Sequence, residues 1–428
     1  MNASYSLQVV LKMGLDVNKV RTDFPALHQL KDGKPIIYAD SACMALKPQQ
    51  VIDALVAYYT EYTACAGRSP HAFSLKTTRL YDDARKDLAR FINAKNPAEI
   101  VWVRNTTEAL NLGSHCLSLE ENGKGTIITT SESHNSNLVK WVRLHNLGKI
   151  ELKIMEMPLT GMFNLEEFTE IVEKCEEGNF LASLNHTSNV TAAHIPETEI
   201  AQIVHERDGI LQLDAAQSFP HRPIDVQKME VDLFAASMHK ACGPTGMGFL
   251  YGRYDLLEKT EPLILGGETV SDVHYPHDIK LLSPPTKFEA GLQNYAGAIA
   301  SGATVEYLAS VGMDKIQSHE KLLSRTMINN LRETLGNKIH ILGPENPEQR
   351  AALAAIDLKG QINPHEVAIL MDEMKNIFLR SGFHCTHAFH HEKHLDVGTL
   401  RPSWYLYNTV EEVNIFVETL QEIFDIMA

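Results

Sequence analysis

Apolar residues along the chain group into short runs that alternate with stretches of helical spacing. The helical stretches, at residues 81–92, 165–175 and 197–206, repeat their apolar positions every three or four residues. Short apolar runs between such helices are typical of a mostly parallel sheet that helices cover on both faces. The runs lie at residues 36–39, 100–103, 126–130, 151–157, 181–184, 210–213 and 233–236, and residues 246–251 read as one more strand of the same layer.

The pattern changes after a proline-containing loop at residues 283–286. It predicts long helices at about 294–308 and 313–335, strands near 352–358 and 377–380, and a last helix at 409–427. Thr409 and Glu412 have the spacing of a capping box at the start of that helix. We therefore predict an α/β protein with an N-terminal segment at 1–34, a large domain with a mostly parallel seven-stranded sheet at 35–293, and a smaller C-terminal α/β domain at 294–428.

Composition and charge restrict the class of protein and of partner. Apolar residues make up 44% and charged residues 22% of the chain, as in an ordinary folded protein. The formal net charge of −15 gives no basic surface for nucleic acid or an anionic membrane. No stretch approaches the roughly 18 to 20 apolar residues of a membrane-spanning helix, and the apolar run at 7–11 lacks the basic flank of a secretory signal. Six scattered cysteines suit a reducing cytoplasm.

Polar residues follow several predicted strands, where parallel α/β sheets bind their ligands. Thr106 and Thr107 open a helix after the strand at 100–103, and the N–H groups of such a helix end attract anions. Asp214 and Gln217 follow the strand at 210–213, where a buried carboxylate needs a partner. Ordinary helix capping is an alternative interpretation of both motifs.

A lysine follows the strand at 233–236, in the run of Ser237, His239 and Lys240, and a glycine-rich turn comes next. Such a turn lets the backbone approach a ligand closely. His134 follows the strand at 126–130, where a single histidine is more often structural. Together these groups match a ligand with a phosphate, a ring nitrogen and an aldehyde. Pyridoxal 5'-phosphate has all three.

Seven motifs occur along the chain in an order and spacing that carry a family resemblance. They are VRTDFP at 20–25, YADSA at 38–42, NTTEA at 105–109, LDAAQ at 213–217, SMHK at 237–240, GPTG at 243–246 and FEAG at 288–291. This series resembles the class V, fold type I pyridoxal phosphate enzymes and, within them, the SUF-type cysteine desulfurase and selenocysteine lyase group. The similarity extends over residues 17–424.

The resemblance implies a role for each matching residue. Lys240 would form the Schiff base with the cofactor and shuttle protons, and His134 would stack on the ring and help to move protons. Asp214 would bind the pyridine nitrogen and Gln217 the ring oxygen. The residues implied to hold the phosphate are Thr106, Thr107, Ser237 and His239, and those implied to bind the substrate are Asn189, Arg401 and Arg380. Arginine suits a carboxylate because its planar fork donates two hydrogen bonds.

Cys385 resembles the family's sulfur-accepting cysteine. The resemblance implies that its thiolate takes sulfur from L-cysteine as a persulfide, leaving L-alanine, and passes it to an acceptor protein from a homodimeric enzyme. A neighbouring Arg380 or His384 would favour the thiolate. The other five cysteines are expected to serve packing or the substrate entrance.

The sequence departs from the family pattern at several positions. Leu292 stands where a threonine usually reaches the phosphate of the partner subunit, so one hydrogen bond between subunits is expected to be lost. Phe383 replaces a histidine beside the thiol, and residues 65–71 differ at the substrate entrance. The histidines from His384 to His394 match no closed metal site, so we expect a polar loop there and no metal.

Other functions stay open on the sequence alone. A selenocysteine lyase acting on L-selenocysteine, an aminotransferase, an epimerase or a β-lyase of the same class would share Lys240 and Asp214. A scaffold that binds a sulfur-transfer partner without turnover is a third class. The presence of Lys240, Asp214, His134 and Arg401 together argues against the scaffold.

Overall fold

The computed structural model of the protein describes residues 14–116 and 125–427. The apolar run at 7–11 and the side chain of Cys116 lie outside the described part. The helices are α1 (Val17–Arg21), α2 (Gln49–Glu61), α3 (Ala72–Phe91), α4 (Thr106–Gly113), α5 (Asn135–Asn146), α6 (Leu165–Glu173), α7 (Glu197–His205), α8 (Tyr254–Lys259), α9 (Tyr295–Val311), α10 (Met313–Leu335), α11 (Pro364–Lys375), α12 (His387–Glu392) and α13 (Val410–Met427). Between the ends of the described ranges, none of these helices has the length and apolar character needed to cross a bilayer.

The strands form one large sheet and several small ones. They are β1 (Leu30–Lys31), β2 (Lys34–Pro35), β3 (Ile37–Tyr38), β4 (Ile100–Val103), β5 (Thr126–Thr130), β6 (Glu151–Met155), β7 (Phe180–Asn185), β8 (Ile210–Asp214), β9 (Leu233–Ser237), β10 (Gly248–Gly252), β11 (Val270–His274), β12 (Asp278–Leu281), β13 (His340–Ile341), β14 (Ile356–Asp357), β15 (Ile377–Phe378), β16 (Arg380–Gly382) and β17 (Thr399–Arg401).

The large sheet has seven strands in the order β4-β10-β9-β8-β7-β5-β6. Strand β10 is antiparallel to both of its neighbours, and the other pairs run parallel. The predicted α/β class and the mostly parallel seven-stranded sheet are therefore confirmed. Because the parallel strands point the same way, the polar residues that follow them meet at one edge of the sheet.

The strand predicted at 36–39 was wrongly placed in this layer. The observed strand β3 pairs in parallel with β15, and Ile37 packs in a second hydrophobic core together with residues of α10, α11 and α13. A local pattern predicts that a segment is extended, whereas its partner is decided by contacts far away in the sequence. The second core is therefore built from β3, near the start of the described chain, together with C-terminal segments such as β15 and α13.

The two hydrophobic cores favour a different domain division from the predicted boundary at 294. Helix α9 packs in the first core with α2 and α3, as does Ile316 at the start of α10. From Leu323 onwards the buried residues of α10 belong to the second core. We propose that the division lies within α10, since the apolar contacts of a domain should close on themselves.

The last helix begins as its sequence predicts. The Thr409 hydroxyl accepts a hydrogen bond from the Glu412 N–H at 3.1 Å, and the Glu412 carboxylate accepts one from the Thr409 N–H at 3.1 Å. Glu412 also forms an ion pair with Arg21 at 2.7 Å. The cap of α13 thus ties the start of the described chain to its end.

A buried carboxylate, Glu289, joins the start of the sheet to the helices that cover it. Its oxygens accept from both terminal nitrogens of Arg85, at 2.7 and 2.8 Å, and from the Tyr81 hydroxyl at 2.8 Å. The backbone N–H of Trp102 on β4 donates to it as well, at 2.8 Å. Glu289 and Arg85 are both buried, so each charge depends on the other.

We expect Glu289→Ala to lower the free energy of unfolding by about 3–5 kcal/mol, because it leaves the Arg85 guanidinium buried without a counter-charge. Urea unfolding followed by circular dichroism measures this. Asp83→Ala, which removes an exposed pair with Lys86, is the control and should cost less than about 1 kcal/mol. Equal losses in the two variants would contradict the structural importance of Glu289.

Candidate active site

A cavity of about 250 Å³ lies at the edge of the sheet where the parallel strands end. With the exception of Cys385, each residue that the sequence assigned to a site lines it. These residues are Thr106, Thr107, His134, Asn189, Asp214, Gln217, Ser237, His239, Lys240, Arg380 and Arg401. The sheet topology thus collects side chains that are nearly 300 positions apart in the sequence.

The start of α4 forms one wall of the cavity. Asn105 caps the helix by accepting from the Glu108 N–H at 3.0 Å, and the Thr106 N–H donates to the Ser237 hydroxyl at 2.8 Å. The Thr106 hydroxyl lies 2.6 Å from the Ser237 hydroxyl, and the Thr107 hydroxyl lies 2.7 Å from that of Ser136. Hydroxyls at a helix N-terminus are a favourable site for a phosphate.

A glycine allows the neighbouring strand to pack against this turn. A Cβ at Gly248 on β10 would lie 2.8 Å from the Asn105 Cα and 2.6 Å from the Ala236 carbonyl oxygen. No side chain fits in that space, because both contacts are with backbone atoms. Gly248 therefore lets the cap of α4 come close to the strand that leads to Lys240.

Asp214 and Lys240 bring opposite charges to the floor of the cavity. Asp214 ends β8 and accepts from the Ala216 N–H at 3.1 Å. Burial raises the pKa of Asp214, and the charge of Lys240 opposes this. Burial lowers the pKa of Lys240, while Asp214 opposes that shift. A lysine whose pKa is lowered gives up its proton more readily and then is a nucleophile.

His134 lines the cavity, and its ring is uncharged near neutral pH. It caps α5, where its Nδ1 accepts from the Ser136 N–H at 3.1 Å. Burial, with the positive charges of Lys240, Arg401 and Arg380, lowers its pKa to about 3. The pKa of His239 falls to about 4 for similar reasons, burial first and then Lys240 and Lys47. Neither ring adds positive charge to the cavity near neutral pH.

Several buried polar atoms at the cavity have no hydrogen-bond partner among the described residues. They include the Gln217 Oε1, the Asn185 Oδ1 and the Arg401 Nε and Nη2. Gln217 donates one amide hydrogen to the Ala42 carbonyl at 2.7 Å and keeps a second N–H available. Buried polar groups are normally hydrogen-bonded, so this cavity has the donors and acceptors of a ligand site.

Arg401 and Asn189 both line the cavity and contact each other. The Arg401 Nη1 donates to the Asn189 carbonyl at 3.0 Å, and its Nη2 lies 3.7 Å from the Asp40 carboxylate. Burial lowers the pKa of Arg401 to about 10, which still leaves it charged at neutral pH. The Asn189 side chain donates to the His384 carbonyl at 2.8 Å, so it also holds the loop that carries Cys385.

Cys385 lies beside the cavity, next to Arg380. Its Sγ is 3.8 Å from the Arg380 Nη2, and its carbonyl accepts from the Asn135 N–H at 2.7 Å. The expectation that His384 could supply a charge to this thiol is wrong. The His384 Nε2 lies 2.9 Å from the Thr399 hydroxyl, and burial lowers its pKa well below the usual value. Arg380 is therefore the cation in contact with the sulfur.

The histidines after Cys385 contact rings and hydroxyls. His390 is buried and hydrogen-bonds Thr386, and Phe383 packs against the rings of His387, His390 and His391. Across residues 14–116 and 125–427, no group of three or more His, Cys, Asp or Glu side chains is arranged to hold a metal ion.

Sequence reasoning missed Cys43, which it had assigned to packing or the substrate entrance. Cys43 lines the cavity, and the Arg380 Nη1 donates to its Sγ at 3.3 Å. It directly follows the YADSA motif, which was the available signal. Cys43 therefore contacts Arg380 at this cavity, as Cys385 does.

Comparison with known proteins agrees with this geometry. The family model described as Aminotransferase class-V matches residues 37–416. The chain belongs to this family. A protein named probable cysteine desulfurase from Synechocystis sp. is 38% identical over 406 residues, covering 94% of each chain. One named cysteine desulfurase from Haloferax volcanii is 33% identical over 420 residues, covering 95% of this chain and 96% of its own.

Solved structures of similar proteins have the same fold. A cysteine desulfurase from Thermococcus onnurineus NA1 superposes with a TM-score of 0.87 at 32% identity, covering 96% of this chain and 99% of that one. A cysteine desulfurase from Escherichia coli superposes with a TM-score of 0.84 at 28% identity, with the same coverage. This class V family member thus has the fold type I architecture that its motifs predict.

A histidine outside the cavity, His194, links the two ends of the loop that carries Asn189. His194 Nδ1 lies 2.9 Å from the Thr187 hydroxyl, and the two residues form an antiparallel bridge. Burial, with the charge of Arg222, lowers the pKa of His194 to about 3. The folded protein therefore excludes a proton that the unfolded chain binds at about pH 6.5.

We expect His194 to make the fold less stable as the pH falls from about 6.5 toward 3, because only the unfolded state takes up its proton in that range. His194→Asn should lower the pH dependence of the unfolding free energy between pH 7 and 5 by roughly one proton. Urea unfolding at both pH values measures it, with the exposed His365→Asn as the matched control. An unchanged pH dependence in His194→Asn would show that the folded state binds this proton as readily as the unfolded chain does.

Proposed function

We propose that this protein is a pyridoxal 5'-phosphate-dependent cysteine desulfurase, which converts L-cysteine to L-alanine and takes the sulfur as a persulfide on Cys385. The observation that carries the proposal is one cavity that contains Lys240, Asp214 and Arg401, with a thiol in contact with Arg380 at its edge. Relatives that match along nearly the whole chain are named cysteine desulfurases, which supports the same function.

The residues present fit the cofactor that the family implies. Asp214 would hold the ring nitrogen, the free N–H of Gln217 the ring oxygen, and the neutral ring of His134 would stack on the cofactor. The phosphate would bind at the start of α4, to Thr106, Thr107, Ser237 and His239. When bound, the cofactor supplies an electron-withdrawing ring that stabilises negative charge at the substrate's α-carbon.

Lys240 and Arg401 would act on the substrate directly. Lys240, with its lowered pKa, would take the α-proton and return a proton to the product. Arg401 would bind the α-carboxylate with the two nitrogens that have no hydrogen-bond partner within the described chain, and Asn189 would donate beside it. Arg380 would complete the positive wall on the side of the thiol.

Cys385 would receive the sulfur. Its thiolate attacks the substrate sulfur, the bond between that sulfur and the β-carbon breaks, and the electron pair stays with the carbon until it is protonated to alanine. The products are L-alanine and one persulfide on Cys385. Arg380 is the counter-charge for the attacking thiolate.

The position of Cys385 favours a desulfurase over other activities of the class. A class V aminotransferase or epimerase has no use for a thiol paired with a cation at the cavity edge. A selenocysteine lyase would use the same residues on L-selenocysteine, and substrate comparison separates the two. A scaffold without turnover would not need the unpartnered polar atoms that face the cavity.

We also propose that the enzyme is a homodimer that delivers sulfur to an acceptor protein in the cytoplasm. An exposed apolar surface at Leu263, Ile264, Leu265 and Leu292 supports the dimer. Leu292 is 72% exposed, which is unfavourable for a leucine in water and suits a residue covered by a second subunit. Free thiols at Cys43 and Cys385 suit a reducing compartment.

We expect the purified protein, loaded with pyridoxal 5'-phosphate, to form alanine from L-cysteine. Lys240→Ala should reduce alanine formation by at least roughly 100-fold, because the group that moves the protons is lost. Cys385→Ala should retain the cofactor absorbance and lose persulfide formation. Alanine and sulfide are quantified in parallel, with Cys175→Ala, a buried thiol of the first core, as the control. Unchanged sulfur release by cofactor-loaded Cys385→Ala would overturn its assignment.

Arg401→Lys tests the carboxylate site. Lysine keeps the charge but loses the planar fork, so we expect kcat/KM for L-cysteine to fall roughly 10- to 100-fold, mainly through KM. Steady-state kinetics measure it, and cofactor absorbance must match that of the wild type. A loss confined to kcat, with KM unchanged, would contradict a role in binding the substrate.

A further inference from the structure

Two thiols, rather than one, flank the guanidinium of Arg380. The Nη1 donates to Cys43 Sγ at 3.3 Å, and the Nη2 contacts Cys385 Sγ at 3.8 Å. Both cysteines are free and half-buried. The two nitrogens belong to one rigid planar group, so each sulfur lies beside a different terminal nitrogen of the same guanidinium.

Both thiols also face the basic residues of the cavity. They are close enough to Lys240 and Arg401 to act on each of these charges electrostatically. Cys175 and Cys242, by contrast, are buried in the first core. Cys43 and Cys385 therefore share one environment, to which the sulfur of a bound substrate is delivered.

The backbone holds Cys43 firmly at the cavity wall. The N–H of the preceding residue, Ala42, donates to the Ser403 hydroxyl at 2.9 Å, and its carbonyl accepts from Gln217 at 2.7 Å. The Cys43 N–H itself donates to the Asp40 carbonyl at 3.0 Å. The backbone at Cys43 is thus held from two sides, by Gln217 after β8 and by Ser403 after β17.

We propose that Cys43 is a second sulfur-carrying thiol, which takes the sulfur from the Cys385 persulfide. The proposal rests on the proposed function, because that function produces the Cys385 persulfide. The Cys43 thiolate attacks the outer sulfur, the sulfur–sulfur bond at Cys385 breaks, and Cys385 leaves as a thiolate. The proton that Cys43 gave up passes to Cys385. One sulfur–sulfur bond forms as another breaks, so no oxidant or reductant is consumed.

Arg380 is placed to assist this exchange in both directions. Its separate N–H groups are a counter-charge first for the Cys43 thiolate and then for the Cys385 thiolate. In the persulfide, the outer sulfur extends about 2 Å beyond Cys385 Sγ. It can therefore reach farther toward the Cys43 Sγ than the Cys385 Sγ itself can. The transfer frees Cys385 for a second substrate, so one chain can store two sulfur atoms.

The test maps persulfides on the cofactor-loaded full chain. The reduced protein, freed of other small thiols, receives about two equivalents of L-cysteine per chain, one for each thiol, and iodoacetamide then traps the thiols and persulfides for peptide mass spectrometry. We expect one added sulfur atom on the Cys43 peptide and one on the Cys385 peptide. The alanine burst should be about two per chain, since each thiol stores one sulfur. The peptide with Cys65, a half-buried thiol outside the cavity, should gain none.

Two variants distinguish transfer between the thiols from independent loading of each thiol by the substrate. Cys43→Ser should halve the burst and leave sulfur on Cys385 only, and Cys385→Ser should leave no sulfur on Cys43. Sulfur on Cys43 in Cys385→Ser, or a disulfide between the two cysteines in place of the second persulfide, would overturn the transfer. A wild-type burst of about one with sulfur on Cys385 alone would reject the transfer and leave the desulfurase intact. Absence of both alanine and persulfide would reject the proposed function itself.

Discussion

Two arginines stand directly opposite each other at the active cavity. Arg380 on β16 and Arg401 on β17 are register partners in an antiparallel pair, an arrangement in which like charges are destabilising. Lys240 adds a third basic group to the same cavity, Asp214 lines it as well, and Asp40 lies 3.7 Å from Arg401. Asp40 beside Arg401 and Asp214 beside Lys240 reduce this repulsion, and the phosphate and carboxylate of a ligand would reduce it further. A chain with a net charge of −15 thus concentrates positive charge in this cavity.

The neutral histidines belong to the same electrostatic balance. Burial keeps His134 and His239 unprotonated near neutral pH, with pKa values of about 3 and 4. If either ring were charged, it would add to the repulsion among Lys240, Arg380 and Arg401. Their depressed pKa values are therefore a consequence of the cations around them as well as of burial. The cavity can use these rings for stacking and hydrogen bonding without raising its charge.

The sequence could predict what depends on local pattern and on strand ends. The strands β4, β5, β8 and β9 and the capping box at Thr409 follow from periodicity and spacing, and the resemblance supplied the residues that line the cavity. The pairing of β3 with β15 and the packing of α9 in the first core could not be read in this way, because both depend on contacts between distant segments. The same limit hid Cys43: its place after the YADSA motif was a local signal, but its contact with Arg380 is between residues 337 positions apart.

The backbone, rather than the side chain, positions the thiol of Cys385. His384 and Cys385 have φ values of +49° and +61°, a left-handed conformation that costs a residue with a side chain about 1–2 kcal/mol. Two hydrogen bonds hold the loop in this shape, from the Asn135 N–H to the Cys385 carbonyl and from the Asn189 side chain to the His384 carbonyl. Because both act on carbonyl groups, they leave the Sγ to its contact with Arg380. These two hydrogen bonds therefore hold the loop without engaging the sulfur that it carries.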